Sequence, residues 1–323
     1  MQKIQIRVLS EEHVSKVAPP LREIVDLVEE TYRMETDVPT KIGVHPPGWN
    51  GGFCHAMPAW VPSARALGMK WISYYPGNSN RGFPDSTGLL ILNDPDTGQP
   101  VALMEGMWIT YARTAACAAV AARHLANPNP KRLGLVGCGG LGKWSLRVLS
   151  EVFPTLTDIH VSSRTPESRK AFCAALQKEG RWKLTPADRV EDAVRGMDIV
   201  VSSIPKSKVA PVREAFWSEG SLAIPLDVTA AWDDACYGKA DLFVSDGFEA
   251  FSRAAARQRP GMPLPKEPVD LADVLLGRKK GRTSAMQRIM AVPTGVASVD
   301  MTLGWEIYRR ARDANLGTVL PLT

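Results

Sequence analysis

The chain has 323 residues, of which 45% are hydrophobic and 23% are charged, and its formal net charge is +5. This composition is typical of a globular protein, and the length predicts about two domains of roughly 150 residues each. The mild positive charge suits anionic small molecules as well as nucleic acid. However, the densest basic run, residues 278–282, is short and lacks interleaved aromatic side chains, so we interpret it as a solvated loop and expect no nucleic-acid partner.

The five cysteines are scattered, odd in number and without a C-x-x-C pair, which argues for reduced thiols. No cluster of His, Cys and Asp has the spacing of a zinc site, so we expect no metal. Charged residues interrupt the N-terminus before a signal-peptide core could form, and no apolar run reaches the roughly 18 residues of a membrane span. We therefore expect a cytoplasmic protein without membrane contact.

The first part of the chain predicts an early helix followed by a β-meander. Ser10 has the features of a helix start, and the apolar residues after it recur on one helical face: Leu21, Ile24, Val25, Val28 and Tyr32. Between about residues 40 and 106, short β-prone runs alternate with turn sequences, which predicts antiparallel strands at 71–75, 89–92 and 101–104. The alanine-rich segment 110–126 predicts a buried helix.

Strand–helix alternation begins after residues 127–130. Strands are predicted at 133–136, 159–162, 199–202, 222–224 and 242–244, with helices at 141–153 and 166–179. This order predicts an α/β fold with a doubly wound parallel sheet. The segment 296–314 is helical again and is expected to return to the first domain. We therefore predict a first domain of residues 1–126 plus 296–323 and a second domain of residues 127–295.

A glycine-rich turn lies between the first strand of the second domain and the helix after it. Gly137, Gly139 and Gly142 have the G-x-G-x-x-G spacing. The first glycine makes the tight turn, the second allows close approach to a pyrophosphate, and the third allows the helix to pack on the strand. Free N–H groups at the helix N-terminus favour phosphate. This context predicts a dinucleotide site, and the alternative is a glycine turn without a cofactor.

The end of the second strand bears on the choice of dinucleotide. An NAD site usually has Asp or Glu about 20 residues after the glycines, whereas this chain has Ser162-Ser163-Arg164-Thr165. Hydroxyl groups and a guanidinium suit a 2′-phosphate, since arginine forms planar, charge-assisted bonds to phosphate. We therefore expect NADP(H) rather than NAD(H). Alternatively, Arg164 is a surface residue just before a helix that starts at Pro166.

Several further segments together resemble the ornithine cyclodeaminase/mu-crystallin family over nearly the whole chain. They are Met57-Pro58-Ala59, Gly68-Met69-Lys70, Pro76-Gly77-Asn78, Thr110-Tyr111-Ala112-Arg113-Thr114-Ala115-Ala116, Gly281-Arg282 and Thr294-Gly295-Val296-Ala297-Ser298-Val299-Asp300. The resemblance implies a Rossmann-type domain and a second α+β domain that binds substrate and pairs two subunits. It thus implies a homodimer with an amino or imino acid substrate held between the domains.

The same resemblance assigns residues to the substrate site. Arg113 matches the arginine that holds the substrate carboxylate, and the alternative is a buried structural ion pair. Lys70 matches the lysine that faces the substrate; among apolar neighbours its pKa would be lowered, unless it is a solvent-facing strand residue. Lys41 stands where many members have arginine, and it keeps the charge but lacks the bidentate fork. His45 and His55 lie nearby and are interpreted as structural.

Asp227 follows a predicted strand at the carboxyl end of the parallel sheet, where ligand crevices occur in such folds. It aligns with the aspartate that cyclodeaminases use on the substrate amine, and the alternative is a helix N-cap. Asp300 is interpreted as a residue that caps or anchors the final helix. The residues expected at the cofactor are Gly137, Gly139, Gly140, Leu141, Gly142, Ser162, Ser163, Arg164, Thr165, Ser203, Ile204, Asp227 and Thr110.

These expectations lead to an NAD(P)H-dependent oxidoreductase that reduces the C=N bond of an α-imino acid or a cyclic ketimine carboxylate. Arg113 and Lys41 would hold the carboxylate, Lys70 would supply the proton, and Asp227 would balance the iminium or ammonium charge. Two alternatives stay open: a cyclodeaminase with bound NAD that releases ammonia, and a non-enzymatic NADPH-binding protein. Residues 226–230 lack the G-D-x-P-G-K-T-E pattern of ornithine cyclodeaminases, which counts against the first alternative.

Overall fold

A computed structural model of the protein describes residues 3–39, 41–49, 51–205 and 207–323. The chain divides into two compact units, Met1–Arg113 with Val296–Thr323 and Thr114–Gly295. The first boundary falls within a long helix, whereas the sequence analysis placed it at the end of that helix, after residue 126. Each unit is built on its own β-sheet.

The secondary-structure elements are numbered in chain order. The strands are β1 (Gln5–Leu9), β2 (Ile42–Val44), β3 (Phe53–Val61), β4 (Ala66–Tyr74), β5 (Ser86–Asn93), β6 (Pro100–Glu105), β7 (Arg132–Val136), β8 (Asp158–Ser162), β9 (Lys183–Pro186), β10 (Ile199–Ser202), β11 (Leu222–Pro225), β12 (Leu242–Ser245), β13 (Val269–Asp270), β14 (Ile289–Val292) and β15 (Thr318–Pro321). The α-helices are α1 (Glu11–Val17), α2 (Leu21–Arg33), α3 (Met107–Leu125), α4 (Gly140–Val152), α5 (Pro166–Leu176), α6 (Asp234–Lys239), α7 (Phe248–Gln258), α8 (Leu271–Leu275) and α9 (Ala297–Asp313). In the described part of the chain, none of these helices combines the length and the apolar character needed to cross a membrane.

The first unit contains a seven-stranded sheet in the order β15-β1-β6-β5-β4-β3-β2. Strands β2 to β6 form the antiparallel meander that the turn sequences predicted, and β1 joins β6 in parallel. Strands β1 and β15 were not among the predicted elements. These two strands pair with each other and bring the two ends of the chain to one edge of the sheet.

Helix α9 packs on one face of this sheet, against β3 and β4, with α2 beside it. Glycine allows the close approach: a Cβ at Gly68 of β4 would lie 2.9 Å from the sulfur of Met301, and a Cβ at Gly304 would lie 2.8 Å from a methyl carbon of Leu90. Because side chains alternate along a strand, Lys70 lies on the same face of β4 as Gly68. The C-terminal helix therefore covers the face that carries Lys70.

The second unit contains an eight-stranded parallel sheet in the order β13-β12-β14-β11-β10-β7-β8-β9. The strand order reverses between β7 and β10, because the chain moves outward from β7 to β9 and then continues on the other side of β7. In doubly wound folds the ligand crevice lies at the carboxyl ends of the strands beside such a switch point. The predicted Rossmann-type parallel sheet is confirmed.

The early helix that the sequence predicted as one element is two helices. The first, α1, has Ser10 as its N-cap and ends ahead of Pro19 and Pro20. Proline removes a backbone donor and restricts the residue before it, so a single helix cannot run through this point. The apolar face predicted for the helix belongs to α2, whose buried residues include Ile24, Val25, Val28 and Tyr32.

Candidate active site

Lys70 lies on the covered face of β4, and its side chain is fully buried. Its cross-strand neighbours are Met57 on β3 and Leu90 on β5, so the sheet offers it only apolar partners on either side. A buried ammonium is unfavourable unless another part of the fold supplies a counter-charge. The solvent-facing alternative for Lys70 is therefore wrong.

Asp300, in the first turn of α9, supplies that counter-charge. Its Oδ1 atom accepts hydrogen bonds from Lys70 Nζ at 2.7 Å and from Arg113 Nε at 2.9 Å. The Asp300 side chain is fully buried, and its Oδ2 atom has no hydrogen-bond partner among the described residues. The N-cap of α9 is Val296, so Asp300 does not cap the helix. Its bonds to Lys70 and Arg113 anchor the final helix to β4 and α3, which is the second of the two roles expected for it.

Arg113 and Lys41 complete a cationic cluster, which we define as Lys41, Lys70, Arg113 and Asp300. Arg113 is 6% exposed, and the ion pair considered as its alternative role is present in its bond to Asp300. Lys41 is half-buried, and its charge acts on both Lys70 and Asp300. When Lys70 is protonated, three positive charges surround one negative charge, so the cluster has an excess of positive charge.

The environment brings the titration of Lys70 into the neutral range. Burial, as the largest cause, and the positive charge of Arg113 lower the pKa of Lys70 to about 7, while Asp300 opposes this shift. For Asp300, burial favours the neutral acid, but the charges of Arg113 and Lys70 outweigh burial and hold its pKa below the usual value. At pH 7, Lys70 is therefore about half protonated beside an ionised Asp300.

In the second unit, the glycine-rich turn follows β7 and leads into α4. Gly137 has a φ of +115°, and a Cβ there would lie 2.6 Å from the carbonyl oxygen of Ser203. A Cβ at Gly142 would lie 2.5 Å from the carbonyl oxygen of Gly137, whereas a Cβ at Gly139 would have nothing within 4 Å. The first and third glycines are therefore required by the turn itself, and the second leaves open space above the backbone.

The N-terminus of α4 fits the pyrophosphate of a dinucleotide. Gly139 is the N-cap, no side chain caps the helix, and its first turn contains no acidic residue. The first N–H groups of the helix therefore lack intrahelical partners and point their positive ends toward the turn. An anion that approaches through the space above Gly139 would accept these hydrogen bonds.

A cavity of about 450 Å³ lies beside this turn within the second unit. It is formed at the ends of β7, β8 and β10, the three strands around the switch point. None of its lining residues in the described ranges is Asp or Glu. Seven residues expected at the cofactor line the cavity: Gly137, Ser162, Ser163, Arg164, Thr165, Ser203 and Ile204.

Polar side chains meet where β8 leads into α5. Thr165 is the N-cap of α5, and its hydroxyl accepts a hydrogen bond from the backbone N–H of Ser168. The Ser163 and Ser168 hydroxyl oxygens lie 2.7 Å apart. Arg164 is exposed and also lines the cavity, so its surface position does not exclude a role in ligand binding.

Asp227 follows β11, close to the switch point. Its carboxylate accepts hydrogen bonds from Ser202 Oγ at 3.1 Å and from the backbone N–H of Ile204 at 3.0 Å, both at the end of β10. Burial raises the pKa of Asp227 to about 6, and these hydrogen bonds limit the rise. The next helix, α6, has Asp233 as its N-cap, so the N-cap alternative for Asp227 is wrong.

Six residues expected at the cofactor do not line the cavity: Gly139, Gly140, Leu141, Gly142, Asp227 and Thr110. Thr110 lies in the first unit, where its hydroxyl donates to the carbonyl oxygen of Gly106, just before α3. Contacts of these six residues with a cofactor stay predictions. Pro205 and Ser207 were not predicted, but they could have been found because they follow a parallel strand. The other lining residues that were not predicted are Val136, Cys138, Ser168, Val190 and Pro211.

Comparison with known proteins agrees with the resemblance seen in the motifs. The profile of the ornithine cyclodeaminase/mu-crystallin family matches residues 1–315. The chain belongs to this family. The nodulation efficiency protein NfeD of Rhizobium meliloti is 30% identical over 319 residues, which cover 98% of each chain.

Two solved structures share the whole fold with this family member. One is the Δ(1)-pyrroline-2-carboxylate reductase of Thermococcus litoralis in complex with NADH and L-proline. It is 25% identical with a TM-score of 0.89, and the match covers 97% of this chain and 99% of that chain. The other is an archaeal alanine dehydrogenase dimer with bound NAD. It is 26% identical with a TM-score of 0.87, and the match covers 99% of this chain and 100% of that chain.

Replacement of Asp300 by asparagine is expected to lower the pKa of Lys70 further, by about one to three units, because the carboxylate that favours the charged ammonium is lost. The measurement is an NMR titration of the lysine ε-methylene groups in isotopically labelled protein, with Lys70→Met to identify the Lys70 signal. The Asp300→Asn variant should also unfold at a lower temperature, since two buried cations lose their partner.

Asp313→Asn is the matched control for this titration. Asp313 is in the last turn of the same helix, but its side chain is 68% exposed and pairs with Arg312 on the surface. Its replacement should leave the Lys70 signal unchanged. An unaltered Lys70 pKa in Asp300→Asn would contradict the charge balance described above.

Proposed function

We propose that the protein is an NADP(H)-dependent reductase of the C=N bond in α-imino acids or cyclic ketimine carboxylates, with amino-acid dehydrogenation as the reverse reaction. The observation that carries this proposal is the convergence of three cationic side chains, Lys41, Lys70 and Arg113, on one buried carboxylate. A substrate carboxylate would form charge-assisted hydrogen bonds with cations held in this way. The two solved relatives support the choice of substrate, since one is a pyrroline-2-carboxylate reductase and the other an alanine dehydrogenase.

In this proposal Arg113 and Lys41 bind the substrate carboxylate. The bond from Arg113 Nε to Asp300 fixes the plane of the guanidinium, and a fixed guanidinium is well suited to recognise a carboxylate. Lys41 adds a point charge without a fixed hydrogen-bonding plane. Asp300 does not touch the substrate in this scheme; it orients Arg113 and Lys70.

Lys70 and Asp227 divide the acid–base roles according to their pKa values. Near pH 7, Lys70 with a pKa of about 7 still holds a proton in many molecules and donates it to the imine nitrogen. Asp227 with a pKa of about 6 is mostly ionised and balances the charge of an iminium or ammonium group. The glycine-rich turn and the cavity residues would hold a reduced nicotinamide dinucleotide, which would supply the hydride for reduction of C=N to CH–NH.

The proposal is tested with 2-oxo acids mixed with methylamine or ammonia, and with cyclic imino acids, by following NADPH consumption and amino-acid formation. Arg113→Ala is expected to lower kcat/KM by about a hundredfold, because a charge-assisted bond to the carboxylate is lost. Arg113→Lys keeps the charge and should lose less. A far-UV circular dichroism spectrum like that of the unsubstituted protein, together with a calorimetric NADPH affinity unchanged within about twofold, would show that the Ala variant is folded.

Other outcomes of the same assay identify other functions. Ammonia release from ornithine without net NADPH consumption would identify a cyclodeaminase. Binding of NADPH without turnover of any compound in the panel would favour a non-enzymatic binding protein. A fully active Arg113→Ala variant would contradict the assignment of the carboxylate site.

We further propose that NADP(H) is the preferred nucleotide. Arg164, Ser163 and Ser168 line one cavity at the N-terminus of α5, and a 2′-phosphate would gain charge-assisted bonds there. The described lining residues offer no carboxylate for the ribose hydroxyls of NAD. The two solved relatives contain NADH and NAD, so they do not support NADP(H). The preference for NADP(H) rests on the residues of this chain.

Arg164→Ala is expected to weaken NADPH binding by roughly ten- to hundredfold, because a hydrogen bond between charged groups contributes about 1.5–3 kcal/mol. NADH binding should change by less than about twofold, since NADH has no 2′-phosphate. Calorimetric titration measures both affinities. The control is Arg253→Ala, which removes an exposed arginine on α7 that pairs with Glu249. Equal losses for NADPH and NADH would argue against a 2′-phosphate site at Arg164.

We also propose a homodimer formed through the open face of the seven-stranded sheet, opposite α9. Ile42, Trp71 and Leu89 lie in one row across this face and are 65%, 39% and 45% exposed. Exposed apolar surface of this extent marks an interaction surface, and the archaeal relative is a dimer. The next row on the same face is also apolar: Pro58, Met69, Ile91 and Leu103.

Leu89→Glu is expected to convert the dimer to a monomer, because it places a second charge beside Glu105 on a face that the dimer would bury. Light scattering on the eluting protein should show a fall from twice the chain mass to the chain mass of 35.2 kDa. Met286→Glu is the control, because Met286 is a 59% exposed residue of the second unit. A monomeric unsubstituted protein would rule out this interface.

A further inference from the structure

An aromatic patch lies on the same face of the seven-stranded sheet as Lys70. It consists of Phe53 and His55 on β3, Tyr74 on β4 and His45 just after β2. The rings of Phe53 and His55 stack with centroids 4.0 Å apart and planes inclined by 17°. The ring of His45 meets His55 edge-on at 5.9 Å, and the ring of Tyr74 lies 5.7 Å from Phe53. The four rings form a continuous, partly exposed surface.

The register of the strands places this patch directly beyond the cationic cluster. Along β4, Lys70 is followed on the same face by Ile72, opposite His55, and then by Tyr74, opposite Phe53. Two residues of a strand span about 7 Å, so the patch begins about 7 Å from Lys70 and ends about 14 Å from it. A substrate whose carboxylate and nitrogen contact the cationic cluster can therefore extend its side chain along the patch.

Gly43 leaves room for the rings of His45 and His55 in the aromatic patch. It pairs with His55 on the neighbouring strand, and a Cβ at Gly43 would lie 3.1 Å from ring atoms of both His45 and His55. Such a contact is closer than an ordinary van der Waals separation. The two histidines, interpreted from the sequence as structural, thus belong to a ring cluster that the glycine leaves room for.

We propose that the aromatic patch binds the side chain of the substrate and selects imino acids with an aromatic or large apolar side chain over those with a methyl group. This inference rests on the proposed function and names the substrate class of the same site. An aromatic side chain packs on stacked rings through dispersion and quadrupole attraction, which a methyl group is too short to gain.

The test measures kcat/KM with NADPH for the methylamine imines of the oxo acids of phenylalanine, leucine and alanine, and for pyrroline-2-carboxylate as a compact cyclic substrate. We expect the phenylalanine-derived substrate to exceed the alanine-derived one by about tenfold or more. Phe53→Ala should lower the value for the phenylalanine-derived substrate by about tenfold and leave the alanine-derived one within about twofold. His55→Ala should show the same pattern more weakly.

Cys54→Ala is the matched control, because Cys54 lies between Phe53 and His55 on β3 and its side chain alternates to the opposite face. It should leave the preference unchanged. Two results would overturn this inference and leave the proposed function standing. One is turnover of the panel with no preference for large side chains. The other is an equal loss of kcat/KM on every substrate in the Phe53→Ala variant. No turnover of any substrate by the unsubstituted protein would overturn both.

Discussion

The carboxylate of Asp300 is the charge on which the candidate active site depends. Without it, Lys70 and Arg113 would both lose a buried ion pair, and removal of one partner from such a pair is strongly destabilising. Asp300 comes from the last helix, and Lys70 lies 230 positions earlier, on a strand of the meander. The site in the first unit is therefore complete only when the C-terminal helix has packed onto the sheet.

The candidate anion sites proposed for the two units differ in their physical basis. In the first, three side-chain cations lie around one buried carboxylate, so side-chain charge would hold the anion. In the second, the backbone does the same work: glycines at the turn keep the N–H groups of α4 exposed, and two of the three glycines are fixed by contacts of the turn itself. Loss of one cation would lower the anion affinity of the first site without removing the other cations. A side chain at Gly137 or Gly142 would instead distort the turn that forms the second site.

The parts of the structure that the sequence predicted are those encoded locally. The alternation of strands and helices predicted the parallel sheet, and the alanine run predicted α3, in which residues 115–122 are all buried. Strands β1 and β15 were not predicted, because they pair across nearly the whole length of the chain. For Asp300 the sequence left two roles open: an aspartate near a helix start looks alike whether it caps the helix or anchors it to a distant cation, and only the packing of α9 distinguishes the two.

Burial moves the two candidate acid–base groups toward neutrality from opposite sides, lowering the pKa of Lys70 to about 7 and raising that of Asp227 to about 6. A lysine that is partly protonated near pH 7 serves both directions of the proposed reaction: the ammonium donates to an imine nitrogen, and the neutral amine accepts a proton during dehydrogenation. Above the pKa of Lys70, reduction loses its donor while dehydrogenation gains its base. The rate of reduction should therefore fall, and the rate of dehydrogenation should rise, as the pH increases through the pKa of Lys70.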